Sequence, residues 1–378
     1  MTGKERVRAV LEGRIPDRVP IGEFAVDFDT VEKIIGHETY LRAKAKSTIA
    51  FWEGRHDEVA DSYLRDHVEL HKKLDLDIVT FSTATTHIPA PSDEPPPRKL
   101  DHNTWEDRVG RIYKYSEATA DITCVHDPRA EAREYRVSDF AGEPRPPRRD
   151  ERSWGIMEGV IREFKDDKFI CGASGGEVGI VLLGGMERGL MRLLTQPEVV
   201  RAATRRTVAE ENLADEVSIH PGQDAALWGA DFGYKTGPFV SPGLFRDLFL
   251  EANKARVAAL HARGQKVLKH CCGNVWPLLD FFIDIGYDAY QSIQGTASMD
   301  IAEVKARYGD RMTLWGGVAL EHLQSGTPDD VRADVRRAME CAKPGGRFIL
   351  GSSHSIAVGT KYDNFMAMLD EYHKLADY

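Results

Sequence analysis

The sequence predicts an α/β fold, a (β/α)₈ TIM barrel, with residues 1–378 forming a single domain. Short apolar segments that resemble buried strands alternate along the chain with longer helical patterns, and this alternation is typical of parallel βα units. Eight strand candidates are present, and eight parallel strands favour closure of the sheet into a barrel. The length of 378 residues suits one such domain.

The eight candidate strands are short and rich in apolar and β-branched residues. They are residues 19–23, 78–81, 169–172, 226–229, 266–270, 289–293, 313–316 and 348–351. Helical patterns follow several of them, for example residues 242–263 and 328–343. Thr327 and Pro328 are a typical helix start, as N-cap and first helical residue. An open doubly wound sheet is the structural alternative, although no G-x-G-x-x-G turn follows the first strand.

Residues 89–152 are predicted to form an insertion after the second strand. Two Pro-rich segments, 89–99 and 141–152, enclose residues 105–126, where Val, Ile, Tyr and Thr recur with the spacing of strands. This stretch predicts a β-hairpin between stiff connections. The insertion is too short to bury a core of its own, so we assign it to the barrel domain.

Composition excludes several classes of partner. Acidic residues exceed basic ones by 60 to 50, a formal net charge of −10, which argues against nucleic acid because phosphate binding needs a basic surface. No run of about 18 apolar residues predicts a membrane span, and the first residues read as an amphipathic helix rather than a signal peptide. Five scattered cysteines fit free thiols in a reducing cytoplasm. We therefore expect a cytoplasmic protein that acts on small molecules.

The candidate metal ligands follow two predicted strands. His270 and Cys272 are two residues apart on an extended chain, so their side chains point to the same side. His354 follows the last strand and supplies a third donor. Imidazole nitrogen and thiolate are ligands that Zn²⁺ prefers, and three ligands with an open fourth position are typical of a catalytic site. The structural alternative is that the cysteine is a small buried hydrophobe.

Three further residues at strand ends are candidate catalytic groups. Glu23 ends the first strand, and Asp231 and Tyr234 follow the fourth. In a barrel of this type the catalytic side chains come from the carboxyl ends of the strands and from the loops after them. Two of them also have a structural alternative, with Asp231 capping the next segment and Glu23 taking part in an ion pair.

Four segments of the chain resemble the uroporphyrinogen decarboxylase superfamily. They are the start of the chain (TGKER followed by GRIPDRVP), residues 264–274 (GQKVLKHCCGN), residues 316–328 and residues 345–355. The resemblance runs from the first helix to near the carboxyl terminus and is interrupted by the insertion. It implies a (β/α)₈ barrel, in agreement with the strand pattern.

The true decarboxylases of this superfamily bind a porphyrinogen through an arginine-rich motif and an aspartate after the second strand. This chain has IGEFA at residues 21–25, where the arginine motif begins, and Phe81-Ser82-Thr83, where Phe-Ser-Asp is expected. The groups that meet the acidic tetrapyrrole and its pyrrole NH groups are therefore missing. We do not expect uroporphyrinogen to be the substrate.

The other branch of the superfamily comprises zinc-dependent methyltransferases that work with corrinoid proteins. Their ligands are His-x-Cys after one strand and a cysteine after a later one. His270 and Cys272 match the pair, whereas His354 stands at the third position. The resemblance thus implies Zn²⁺ and a corrinoid (methylcobalamin). No corrinoid-binding motif occurs in this chain, so the corrinoid is expected on a partner protein. An oligomer is compatible with the sequence.

The leading hypothesis is methyl transfer between the corrinoid and a small thiol or methyl ether. Asp231 and Tyr234 would orient the substrate, and Glu23 would act as a base or an extra ligand. The alternative is a decarboxylase or lyase that acts on a carboxylated substrate other than uroporphyrinogen, with His354 as the proton donor. A third hypothesis is a barrel that serves only for binding or assembly.

Overall fold

The computed structural model describes residues 1–81, 83–145 and 147–378. Its centre is a parallel sheet of seven strands, which stand in the sheet in their order along the chain. The strands are β1 (Ile78–Thr80), β2 (Phe169–Gly172), β3 (Ala225–Trp228), β4 (Lys266–His270), β5 (Ala289–Ser292), β6 (Thr313–Val318) and β7 (Phe348–Ser352). Neighbouring strands are all parallel, so their carboxyl ends lie on one side of the sheet. Each strand is added to the same edge, and the sheet curls.

The first predicted strand lies between the two edges of this sheet as a bridge rather than a full strand. Ile21 forms a parallel bridge with Leu350 of β7, whose amide donates to the carbonyl of Pro20 at 2.9 Å. On the other side, the amide of Asp77, just before β1, donates to the carbonyl of Ile21 at 2.9 Å. A segment of a few residues therefore joins β7 to the start of β1.

The interior of the curled sheet is packed with side chains. Ile78 of β1 and Ile349 of β7 stand at opposite ends of the strand order, yet they belong to one buried cluster with Trp315 of β6. Val7 and Val10 of the first helix pack against the same cluster. Such a filled interior is typical of a TIM-like barrel. The α/β fold predicted from the sequence is confirmed.

Helices surround the sheet. They are α1 (Gly3–Leu11), α2 (Phe28–Ile35), α3 (Lys44–Trp52), α4 (His56–Leu74), α5 (Thr83–Thr86), α6 (Pro128–Ala132), α7 (Glu151–Phe164), α8 (Met186–Thr195), α9 (Pro197–Ser218), α10 (Pro242–Phe245), α11 (Glu251–Ala262), α12 (Leu279–Ile285), α13 (Ile301–Tyr308), α14 (Leu320–Ser325), α15 (Pro328–Ala342) and α16 (Tyr362–Leu375). Across the described residues, none of them is both long enough and apolar enough to cross a membrane.

The predicted helix at residues 328–343 begins where its capping residues require. The Thr327 hydroxyl accepts from the amide of Asp330, and the Asp330 carboxylate accepts from the amide of Thr327 at 2.8 Å. This reciprocal capping satisfies two amide donors that the helix start leaves free. The predicted helix at 242–263 is instead divided between α10 and α11 by a π-helical turn over Arg246–Leu250.

The insertion is larger than the hairpin that the sequence predicts. It contains a four-stranded antiparallel sheet, and its strands are Arg98–Lys99, Thr104–Glu106, Ile112–Ser116 and Asp121–His126. Trp52 of α3 packs against Trp105 and Tyr113 of this sheet, with ring centroids 5.7 and 5.6 Å apart. The sheet therefore buries its aromatic face on the barrel's own helices, which is why so short a segment is ordered.

Candidate metal centre

The three predicted metal ligands meet at the carboxyl ends of the strands. His270 ends β4, Cys272 follows it, and His354 comes two residues after the end of β7. The Cys272 Sγ lies 3.1 Å from Nε2 of His270, and one donor atom of each of the three residues lies within 4.8 Å of the others. The two imidazole rings are nearly perpendicular, at 83°. Their role as ligands remains a prediction.

Gln291 of β5 orients His270, and the sequence analysis missed it. The two residues are register partners on neighbouring strands, and the amide oxygen of Gln291 hydrogen-bonds Nδ1 of His270. The Gln291 Nε2 donates to the carbonyl of Ser352 at 3.0 Å, so its oxygen must face the imidazole. Nδ1 of His270 then carries the proton, and Nε2 keeps its lone pair on the side of Cys272. A buried glutamine inside a strand was the signal in the sequence.

Phe24, which the sequence analysis also missed, covers one face of His270. The two rings are stacked, with centroids 4.0 Å apart and planes 15° from parallel. Gly229, the residue after β3, leaves room for this arrangement, since a Cβ there would lie 3.2 Å from the Phe24 ring. The stacked phenyl ring shields the imidazole from water on that face.

Burial sets the protonation of the three candidate ligands. It lowers the pKa of His270 well below the usual range, and it also lowers the pKa of His354. Burial, together with the nearby carboxylate of Asp231, raises the pKa of the Cys272 thiol. At neutral pH both imidazoles therefore offer lone pairs, whereas the thiol releases a proton when it binds a metal.

Glu23 lies behind the end of β7 and outside the group of three donor atoms. It is 3% exposed, and its carboxyl oxygens accept from the amide of Ser352 at 3.0 and 3.2 Å. Burial outweighs these bonds and raises the pKa of Glu23 to about 8. The Ser352 hydroxyl contacts both Glu23 and the carbonyl of His354. One hydroxyl proton cannot serve two acceptors, so a neutral Glu23 would supply the second proton.

Asp231 and Tyr234 lie on the loop after β3, beside the segment that carries Cys272. The Asp231 carboxylate accepts from the amide of Cys272 at 2.8 Å, and the Tyr234 carbonyl accepts from the amide of Asn274 at 2.8 Å. The Tyr234 ring packs against Phe239 and is 51% exposed. Both residues therefore fix the loop, Asp231 through its side chain and Tyr234 through its backbone.

A buried ion pair joins the loop after β2 to β4 and holds the loop after β3 between them, and sequence reasoning did not find it. Lys269 is fully buried and its Nζ lies 2.7 Å from the Glu177 carboxylate. Glu177 also accepts from the amide of Ala230 at 3.0 Å, and the Ala230 carbonyl accepts from Lys269. These bonds position the residues just before Asp231.

Ser82 lies outside the described residues, and the Thr83 side chain is likewise not described.

The carboxyl-terminal part of the chain is similar to a known family. The sequence model of the family Uroporphyrinogen decarboxylase (URO-D) matches residues 223–375, a range that contains His270, Cys272 and His354. A uroporphyrinogen decarboxylase from Psychromonas ingrahamii is 29% identical over 145 residues, or 37% of this chain and 39% of the relative. The chain therefore matches about two fifths of that relative's length. The resemblance to the superfamily is confirmed.

Among solved structures, a methyltransferase from Methanosarcina mazei matches 99% of this chain and 99% of its own, with a TM-score of 0.63 and 17% identity. This likeness shows a shared fold along the whole chain. A 3-keto-D-glucoside 4-epimerase from E. coli matches 58% of this chain and 84% of its own, with 13% identity and a TM-score of 0.32, too low to compare folds. The methyltransferase and the uroporphyrinogen decarboxylase to which this chain is similar are both enzymes.

Proposed function

We propose that this protein is a zinc-dependent methyltransferase that moves a methyl group between a small thiol or methyl ether and a corrinoid carried by a partner protein. One observation carries the proposal: donor atoms of His270, Cys272 and His354 lie within 4.8 Å of one another at the carboxyl ends of the strands. The match of the fold to a methyltransferase over 99% of the chain supports it.

The three residues fit a zinc ion. Zinc–nitrogen and zinc–sulfur bonds of about 2.0–2.3 Å in a tetrahedron put neighbouring ligand atoms roughly 3.5 Å apart. The separations within the group, 3.1 Å between His270 and Cys272 and at most 4.8 Å overall, need only small side-chain adjustments to reach this value. Two imidazoles and one thiolate leave a fourth position open for a substrate atom.

When bound, zinc would supply a Lewis acid that stabilises negative charge on the sulfur or oxygen of the substrate. The protein's own residues prepare the site. Gln291 holds Nδ1 of His270, so that Nε2 is free to bind, and Phe24 keeps water from one face of the ring. Asp231 anchors the Cys272 amide. Glu23 holds a proton beside the Ser352 hydroxyl, which positions the backbone that leads to His354.

A decarboxylase or lyase is the second candidate function, favoured by the match of residues 223–375 to the decarboxylase family. On that proposal His354 donates a proton to a carbanion formed from a carboxylated substrate other than uroporphyrinogen. The direction of the pKa shift opposes it. Burial lowers the pKa of His354, so its imidazole is mostly neutral at neutral pH and is a poor reservoir for a donated proton.

Metal analysis of the purified protein separates the two candidates. We expect about one zinc per chain, with loss of zinc in Cys272→Ser and His354→Gln. Cys271→Ala is the matched control, because the neighbouring Cys271 accepts from the amide of Phe232 in the packed wall of the barrel. A metal-free protein with retained fold favours the lyase. Chelation that changes neither the metal content nor the methyl-transfer activity would contradict the transferase.

A further inference from the structure

A cavity of about 580 Å³ lies between the inserted sheet and helices α3 and α4. Residues of α3, the amino-terminal turn of α4, the Pro-rich segment at 89–97, the inserted sheet and the start of α7 line it. None of the six predicted site residues is part of its lining. Its volume is that of a pocket for a small organic molecule. An inference about this cavity is therefore independent of the metal centre.

Part of the cavity lining is apolar and aromatic. It consists of Phe51 and Trp52 of α3, Tyr113 of the inserted sheet, and Pro95, Pro96 and Pro97. The rings of Trp52 and Tyr113 meet edge to face, with planes at 72°. Rigid rings and prolines at the wall of a cavity suit a flat apolar body, because little conformational freedom is lost when it binds.

The lining also includes a buried histidine, whose ring lies 5.5 Å from that of Phe51. His56, the first residue of α4, is 7% exposed, and neither of its ring nitrogens has a hydrogen-bond partner among the described residues. Its ring is part of the cavity lining. No side chain caps the amino terminus of α4, so first-turn amides of a 19-residue helix are also free there. The ring nitrogens of His56 are thus open to a hydrogen-bond partner that enters the cavity.

Two arginines add further donors. The Nε of Arg111 donates to the Asp107 carboxylate at 2.6 Å, and one Nη of Arg152 forms an ion pair with the Asp57 carboxylate at 3.1 Å. The Arg111 guanidinium also lies over the Tyr113 ring, 5.8 Å from its centroid, and no other acceptor is found for either guanidinium among the described residues. The Asp107 carboxylate is already occupied, because it also accepts from the backbone amides of Val109 and Arg111. Asp57 and Glu94 are also part of the lining, and each is paired, Asp57 with Arg152 and Glu94 with Arg108. The donors that remain for a ligand are therefore the His56 ring and the other N–H groups of the two arginines.

We propose that this cavity binds an organic anion with a planar aromatic body. The body lies against Phe51, Trp52 and Tyr113, and the anionic head, a carboxylate or a phosphate, faces His56, Arg111 and Arg152. Hydrogen bonds from charged donors to an anion are stronger than those between neutral groups, so the head group contributes much of the affinity. Because the insertion supplies one wall, the site depends on the inserted sheet.

Calorimetric titration of the whole protein with three probes tests this proposal. The probes are 2-naphthoate, 2-naphthyl phosphate and the uncharged 2-naphthamide, and quenching of Trp52 fluorescence gives a second readout. We expect at least one anion to bind about tenfold or more tightly than the amide, because the amide lacks the charge that the donors meet. The anion that binds more tightly shows whether the site prefers a carboxylate or a phosphate head group.

Two variants and a control complete the experiment. We expect the affinity for the preferred anion to fall by about tenfold in Arg152→Gln and in His56→Leu. Arg98→Gln, on the same inserted sheet but paired with Glu106 and outside the lining, should leave binding unchanged. The proposal is overturned if no probe binds saturably, if the amide binds as tightly as both anions, or if Arg152→Gln and His56→Leu bind like the unmodified protein.

Discussion

The amide oxygen of Gln291 accepts the Nδ1 proton of His270, and the same amide group donates to the carbonyl of Ser352 at 3.0 Å. One buried side chain thus links the strand that carries the His270–Cys272 pair to the strand that leads to His354. Partners of this kind set the tautomer and orientation of metal-binding histidines in proteins.

Gln291→Leu should weaken zinc binding by about 10- to 100-fold, because His270 loses the acceptor that holds its Nδ1 proton. Competition with a chromophoric chelator measures the affinity, and the visible spectrum of the cobalt-substituted protein reports ligand geometry. Gln291→Glu, which keeps an acceptor for Nδ1, should recover most of the affinity. Equal zinc affinities in all three proteins would contradict the orienting role.

Gly273→Ala should disturb the loop that carries Cys272. Gly273 has a φ of +81°, and a Cβ there would lie 2.5 Å from the carbonyl oxygen of Tyr234. We expect a loss of stability of about 2 kcal/mol or more, with reduced zinc occupancy. Gly36→Ala is the control, because Gly36 has a φ of +88° and open space around it. Urea denaturation should show a clearly smaller loss for the control, and equal losses would refute the backbone clash.

Lys269→Met should destabilise the fold by about 3–5 kcal/mol, because it leaves the Glu177 carboxylate buried without its counter-charge. Both side chains are almost completely buried, at 0% and 6% exposure. The double variant Lys269→Met, Glu177→Gln should recover part of the loss, and denaturant unfolding of the four proteins of this cycle gives the coupling energy. Additive losses would show that the two residues do not interact.

Two buried histidines of α4, His67 and His71, should make stability fall as the pH falls below about 6.5. Burial lowers the pKa of His67 to about 4 from an ordinary 6.5, and it lowers the pKa of His71 as well. Between these values the unfolded chain binds protons that the folded chain does not, so acid favours unfolding. Their stabilising effect is complete above pH 6.5 and is lost toward pH 4.

The unfolding free energy of His71→Leu, measured from pH 7.5 to 4.5, should have a slope shallower by about 1 kcal/mol per pH unit than that of the unmodified protein. His102→Leu is the control, since the His102 side chain is 87% exposed. A slope that stays unchanged in His71→Leu would show that the buried ring does not titrate as inferred.

Most strands were predictable because their signal is local. Residues 169–172 and 266–270 form strands with the predicted bounds, and the helix after Thr327 begins at the predicted residue. Each depends on a short apolar run or a cap that neighbouring residues define. The inserted sheet was underestimated, because its first two strands are only two and three residues long and depend on packing against α3.

The candidate site was predictable in part. The strand-end positions of His270, Cys272 and His354 are visible in the sequence, whereas Phe24, Lys269 and Gln291 were missed. Phe24 and Gln291 contact His270 from separate segments, and Lys269 pairs with Glu177, which lies far away in the chain. Such contacts depend on the register between strands and on which way each side chain points in the folded barrel.

The sequence by itself determined the alternation of strands and helices, and it determined that His270 and Cys272 share one side of an extended chain, because these are consequences of local backbone geometry. Only the tertiary structure decided that His354 reaches the same point and that residues 20–22 bridge the sheet edges. The physical reason is that hydrogen bonding between distant strands sets the curl and register of the sheet, and these alone fix the distances between side chains at its carboxyl ends.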